Sequence, residues 1–400
     1  MRGFNPRSLD ALNFLLADVR GALGPYLNVF LITQRHWSQS AVGVVTTVSG
    51  LLGLLVQTPI GALIDRIHAK RALIIVALAL LAAGAVAIYL WPAFWPVLAA
   101  NTAIAVVGDV FGPAIAALTL GLYARAALPR RLGRNSAFDH AGNVAIAALA
   151  GGVGWLFSQQ AVFLLVPVFA VLANGAALSI PAHAIDHRRA RGGHEGGEPV
   201  GMLTLFACRP LLAFGICTVL FHLANAPLLP LVGQKLASSH PKLATAMMSS
   251  CIIAAQMIML PIAVAVGHNA DRFGRKPLLL IGFGILPIRG VLYVMSDNAA
   301  WLIGVQLLDG VGAGILGAIT PLVIADLMRG TGRFNAAQGA IATMQGIGAS
   351  VSGLAAGVIV DGFGYSPAFL IAGGVAAVAF AVALLALPET ASANNEDRLA

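Results

Sequence analysis

Residues 61–71 read GALIDRIHAKR, and residues 267–277 read GHNADRFGRKP. The first stretch follows the uncharged run SAVGVVTTVSGLLGLLVQTPI and breaks it with one acid and a cluster of bases. Asp65 and Asp271 lie 206 residues apart (271 − 65), about half of the 400-residue chain. An apolar protein that repeats one charged phrase at half its length reads as a duplicated unit, with each copy of the phrase in an equivalent loop.

The rest of the chain fits that reading. It is 58% apolar and 10% charged, against roughly 25% charged residues in a soluble domain. Long apolar runs recur throughout, which predicts many membrane spans. In lipid each span must satisfy its own backbone hydrogen bonds. Helices do so, whereas barrel strands would show an alternating polarity that is absent here. Breaking the runs at Pro, Gly and charge predicts twelve spans, at 9–33, 41–64, 72–91, 97–123, 136–158, 161–181, 209–234, 244–266, 277–295, 299–327, 335–360 and 366–388. The expected fold is therefore an all-α integral membrane protein, with twelve transmembrane helices in two pseudo-symmetric six-helix bundles. The expected division is a bundle at 1–181, a Gly- and charge-rich cytoplasmic linker at 182–208, a second bundle at 209–390 and a cytoplasmic tail at 391–400.

Basic residues test the map, because insertion leaves them on the cytoplasmic side. With both termini inside, 19 of the 24 Lys and Arg fall in inner segments; only Arg35, Lys235 and Lys242 fall outside, and Arg20 and Arg289 fall within spans. The net charge of +8 is thus a topology signal rather than a nucleic-acid patch. Cys208, Cys217 and Cys251 form no ligand spacing and read as small apolar residues. The apolar run after the N-terminal arginines is too long for a cleaved signal and reads as the first span.

Both charged phrases now sit between the second and third helix of their half. At this point the sequence resembles the major facilitator superfamily of transporters, whose loop signature is G-x-L-a-D-R-x-G-R-K. The first copy supplies Gly61, Leu63, Asp65, Arg66, Lys70 and Arg71, and the second Gly267, Asp271, Arg272, Gly274, Arg275 and Lys276. His68 and Asn269 depart from the signature. The resemblance implies that the loops latch and release a conformation. The charges allow it, since an aspartate at a helix end accepts bonds from a neighbouring helix N-terminus or an arginine. Plain anchoring accounts equally well for Lys70, Arg71, Arg275 and Lys276, but it gives no reason for Asp65 and Asp271.

Charges inside spans are functional candidates by default. Asp18 and Arg20 lie near the middle of span 1, Asp109 of span 4, His222 and Asn225 of span 7, and Asp309 of span 10. These are the first helices of each three-helix group, which in the resembled fold line the central cavity. The competing reading is internal salt bridging, with Arg20 paired to Asp109 or Asp309. Asp139, His140 and Asn143 near the inner end of span 5, and Arg289 in span 9, are secondary candidates. Span 5 keeps Gly151 and Gly152 but has Ala147–Ala148 where proton-antiporting drug exporters of the family carry Gly-Pro. His183, His187 and His194 with Glu195 occupy a Gly-rich linker and read as loop residues rather than a metal site, since four spaced ligands on a rigid element are not found there.

No nucleotide-binding, nucleophile–base or metal motif appears, so an enzyme is not expected. The expected function is proton-coupled secondary transport of a small organic solute across a bacterial inner membrane by alternating access. Export of a drug, siderophore or amphipathic metabolite is favoured over proton symport of an organic acid. A non-transporting membrane sensor or intramembrane enzyme is the remote alternative. No cofactor beyond the proton gradient, no nucleic acid and a monomeric state are expected.

Overall fold

A computed structural model describes residues 5–17, 19, 23–66, 70–123, 127–186, 208–329 and 333–391, with residues 58–66, 70, 129 and 335 described by backbone course alone. Every regular element among them is helical. Helices α1 (Pro6–Leu16) and α2 (Gly24–Thr33) are followed by α3 (Gln39–Arg66), α4 (Lys70–Leu90), α5 (Phe94–Leu122), α6 (Leu128–Leu156) and α7 (Leu165–Leu178). The second series is α8 (Arg209–Asn225), α9 (Leu228–Ser239), α10 (Ala244–Phe273), α11 (Arg275–Met295), α12 (Ala299–Leu327), α13 (Phe334–Phe363) and α14 (Tyr365–Ala386).

Among the described residues, ten helical segments are long and apolar enough to cross a membrane. The difference from twelve has two local causes. Span 9–33 is divided into α1 and α2, of 11 and 10 residues, each too short to cross alone. The helix of span 5 begins at Leu128 and carries Arg131, Arg134, Asp139 and His140 in its first half, which lowers its apolar character. Span 209–234 is also two pieces, α8 and α9, broken at Ala226–Pro227. Proline lacks the N–H that would continue the ladder, so the division falls where the sequence removes a donor.

Contacts divide the chain into two compact units: Met1–Glu195 with Gly233–Ile253, and Gly196–Val232 with Ala254–Ala400. In the first, α5 packs on α3 and α4, α4 packs on α7, and α1 packs on α6 and α7. In the second, α11 packs on α12 and α14, and α8 packs on α13 and α14. The pairs α4–α5, α4–α7, α1–α6 and α1–α7 thus recur as α11–α12, α11–α14, α8–α13 and α8–α14, as a duplicated unit requires. Segment 233–253 packs within the first unit, where the Tyr26 and Ser249 hydroxyls lie 2.8 Å apart.

Small residues set the closest approaches, as in other membrane bundles. A Cβ at Gly142 of α6 would strike the Phe14 carbonyl oxygen of α1, and one at Gly310 of α12 would strike the Ala255 carbonyl oxygen of α10. Gly142→Val is therefore expected to force α1 from α6 and cost about 1–3 kcal/mol; thermal unfolding in detergent should show a lowered midpoint. Gly274 is the single residue between α10 and α11 and takes φ +84°, a left-handed conformation that favours glycine.

Candidate functional site

The second unit holds a buried polar cluster on three helices. Arg289, midway along α11, has a side chain only 2% exposed. Its Nη1 lies 2.7 Å from Asp309 Oδ1 on α12 and donates to Asn225 Oδ1 on α8 at 2.6 Å. Its Nη2 donates to the Tyr293 hydroxyl at 3.1 Å and reaches Gln306 Oε1 at 3.5 Å. Among the described residues, Arg289 Nε and Gln306 Nε2 are buried without a hydrogen-bond partner. A guanidinium can take this place because its planar fork serves several acceptors at once. His222, one turn before Asn225, is half-buried, with Nδ1 2.9 Å from the Thr218 carbonyl oxygen. A carbonyl only accepts, so Nδ1 carries the proton and Nε2 is left for other chemistry.

In the first unit Asp109 is half-buried midway along α5. Its Oδ2 lies against α3 at Gly53, where a Cβ would sit 3.3 Å away, so the glycine makes room for the carboxylate. No ion pair reaches Asp109 among the described residues. Asp18 and Arg20 lie outside the described residues. Asp139, His140 and Asn143 are half-buried on α6. The described partner of Asp309 is Arg289, and the expected pairing of Arg20 with Asp109 or Asp309 lies outside the described residues.

The charged phrases form contacts at the helix ends. In the second copy, Arg275 Nη1 lies 2.7 Å from Asp271, and Arg275 Nε donates to Asp326 Oδ2 on α12 at 3.0 Å. The Arg275–Asp326 contact is the substantial one, since both side chains are nearly buried, while Asp271 is 93% exposed and its pair is worth little. Beyond α14, Glu389 accepts from the backbone N–H groups of Arg275 at 2.8 Å and Lys276 at 3.1 Å, capping the start of α11. Arg272 lies over the Phe273 ring, and Gly267 faces open space. In the first copy, Gly61, Asp65 and Arg66 lie on the last turns of α3 and Lys70 opens α4, with side chains outside the description. Arg71 Nη1 donates to the Ile180 carbonyl at 2.8 Å, just past the end of α7. Each phrase therefore ties to the segment just past the last helix of its own half of the sequence, through the Arg71 cation in one copy and the Glu389 carboxylate in the other.

Burial pushes the Glu389 carboxyl up, but the N–H groups of Ala391, Arg275, Lys276 and Thr390 together hold it below the usual glutamate range. A carboxyl lowered in the folded state contributes stability above its unfolded pKa and loses it as pH falls through the folded value. Glu389→Ala is expected to cost roughly 1 kcal/mol, modest because the residue is exposed. That loss should be full at neutral pH and vanish only below the ordinary glutamate range, as melting curves of both forms against pH would show.

Asp10, Asp326, Glu389, Tyr293 and Gln306 were not singled out by the sequence reading. Asp10 is buried on α1, with Arg134 Nη2 2.6 Å away and Arg131 Nη2 2.8 Å away, the latter close but not aligned as a hydrogen bond. A signal existed for Asp326, an acid within span 299–327, where a charge is a functional candidate by default. The others are ordinary residues until their partners are known.

The profile described as Major Facilitator Superfamily matches residues 9–269 and again 214–399. Uncharacterised MFS-type transporters from two strains of Mycobacterium tuberculosis are each 47% identical over 389 residues, covering 96% of this chain and 93% of theirs. The chain belongs to the major facilitator superfamily. Sugar efflux transporter A of Dickeya chrysanthemi is 26% identical over 380 residues, 89% of each chain. A crystal structure of a mutant of the nucleoside transporter NupG shares the fold with TM-score 0.82 at 13% identity, covering 96% of this chain and 100% of that one. As a superfamily member this chain is a multi-pass membrane transporter of a small solute and not an enzyme. Transporters of this class are built from repeated halves, and interrupted helices at corresponding positions point to the solute site. The breaks between α1 and α2 and between α8 and α9 occupy the first helix of each half.

Proposed function

We propose that this transporter is a proton-coupled exporter of a small amphipathic organic solute, working by alternating access in a bacterial inner membrane. On this reading it acts as a monomer, with both termini and both charged loops in the cytoplasm and no bound cofactor. Asp109 carries the proposal. It is an acid at mid-helix depth, half open, and no counter-charge reaches it among the described residues. A carboxylate held at membrane depth is costly, which makes it a functional candidate by default. Asp309, His222 and Asn225 join it as residues of the transport path, together with Asp18 and Arg20. Export is favoured by the full-length similarity to a protein named as a sugar efflux transporter. The amphipathic class is favoured by a largely apolar lining with interspersed charge and no obvious sugar-type cluster of Gln, Asn and Trp in the sequence.

Everted membrane vesicles from cells producing the protein test the direction, using radiolabelled amphipathic toxins, siderophores and organic acids. Accumulation that needs the acid interior of such vesicles supports export. Efflux from preloaded vesicles driven by the same gradient would instead establish proton symport. Accumulation indifferent to the gradient would remove the proton from the mechanism.

A further inference from the structure

Four connections meet at the end of the first unit remote from its charged phrase: α2–α3, α4–α5, the turn after α6, and α9–α10. The Trp37 and Phe94 rings lie 5.7 Å apart between centroids, which joins the first two. The Thr33 hydroxyl donates to Gln159 Oε1 at 2.9 Å, and Gln159 Nε2 donates to the Pro241 carbonyl at 3.4 Å. Gln160 Nε2 donates to the Tyr89 carbonyl at the end of α4. Arg35, His36, His240 and Lys242 are thereby gathered at one corner, all exposed and without an ion pair among the described residues. None of the segments 34–38, 91–93, 157–159 and 240–243 contains Asp or Glu. Arg35, Lys235 and Lys242, the three Lys and Arg that lie outside both the inner segments and the spans, all belong to this unit. Lys235 and Lys242 come from the second half of the sequence and still pack with the first unit. The equivalent connections of the second unit, α11–α12 and α13–α14, hold Asp297 and, at the end of α13, Asp361, with no base.

Tryptophan marks the same corner. Of the five in the chain, Trp37, Trp91, Trp95 and Trp155 lie at these connections, the last three 61%, 74% and 63% exposed. An exposed indole at the end of a membrane helix sits at headgroup depth, with its ring toward the lipid chains and its N–H among the headgroups. Bases beside such rings stand among lipid phosphates rather than in open water. Insertion otherwise keeps bases away from this end, so an unbalanced group of them fits a partner of negative charge. We infer that this corner of the first unit is a docking surface for the headgroups of anionic phospholipids. The phosphates meet Arg35 and Lys242, with His36 and His240 beside them, and the tryptophans fix the depth of the contact. With both termini cytoplasmic, the lipid belongs to the outer leaflet. The inference goes beyond the proposed function and rests on neither its proton nor its direction. A soluble anion would leave three exposed indoles without a role.

The tryptophans supply the reporter. All five, Trp301 at the start of α12 included, lie at or beside connections remote from the charged phrases, so their fluorescence ignores lipid bound at those phrases. The full-length protein is placed in phosphatidylcholine nanodiscs that contain a minority of either phosphatidylglycerol or phosphatidylcholine, brominated near the carbonyl end of its chains. Both leaflets are alike, so orientation does not enter. Each base near an anionic surface is worth roughly a fivefold preference, so brominated phosphatidylglycerol should quench as the more tightly held lipid by about 5- to 25-fold. High salt should shrink that preference. Arg35→Gln/Lys242→Gln changes two exposed side chains, should fold as the parent does, and should bring the two lipids to near parity. Equal quenching by the two lipids in the parent, or an undiminished preference in the double variant, overturns the inference. So does a preference that millimolar glycerol 3-phosphate abolishes, because the corner would then take a soluble anion. None of these results bears on the proton or the direction of transport.

Discussion

Asp309→Asn is expected to damage folding before it damages transport. The substitution removes the described counter-charge of an arginine that is 2% exposed, and a buried charge left alone costs about 3–5 kcal/mol. The yield of monodisperse protein should fall sharply, with a lowered melting midpoint. The decisive comparison is the double variant Arg289→Gln/Asp309→Asn, in which no charge is left unpaired. It should recover most of the loss, because uncharged residues can replace a buried ion pair at little loss of stability. A double variant as unstable as the single one would show that the polar contacts to Tyr293, Gln306 and Asn225 require the guanidinium itself.

Asp109→Asn should behave in the opposite way. No ion pair is broken among the described residues, and an isolated acid at mid-membrane depth costs roughly 2.5–3.5 kcal/mol. The amide should therefore leave stability unchanged or raise it. Proton-driven transport should fall by more than about tenfold, equivalent to roughly 1.4 kcal/mol. Downhill movement of solute should persist, because the path stays open while the proton step is lost. The two aspartates were alike in the sequence, both lone acids in apolar helices. Their environments separate them: one is fastened to an arginine on a neighbouring helix, the other lies against Gly53 with room beside it.

What was legible in the sequence follows from what hydropathy and charge encode. Span positions came from long apolar runs, and the duplication from a phrase repeated at half length. The same packing pairs recur in both units, as the repeat implies. Proline and glycine marked the divided helices, yet GALGP and NAP in apolar surroundings do not say whether a helix kinks or stops. Partner choice was not legible. Asp10 meets Arg134 across 124 positions and Glu389 meets Arg275 across 114, and no local pattern connects such residues. Arg289 stood out as a charge in a span, but its partner depends on the rotation of α11 against α12, which single-sequence periodicity leaves open. The loop aspartates read as one motif, whereas in the second copy the buried contact belongs to Arg275 and Asp326.

Coupling of a proton to solute movement through Asp109 is the centre of this account. It is tested most directly by solute accumulation in everted vesicles, with the parent and Asp109→Asn compared with and without a protonophore. The account predicts accumulation in the parent that the protonophore abolishes and that Asp109→Asn lacks. Accumulation that survives both the protonophore and Asp109→Asn would contradict it.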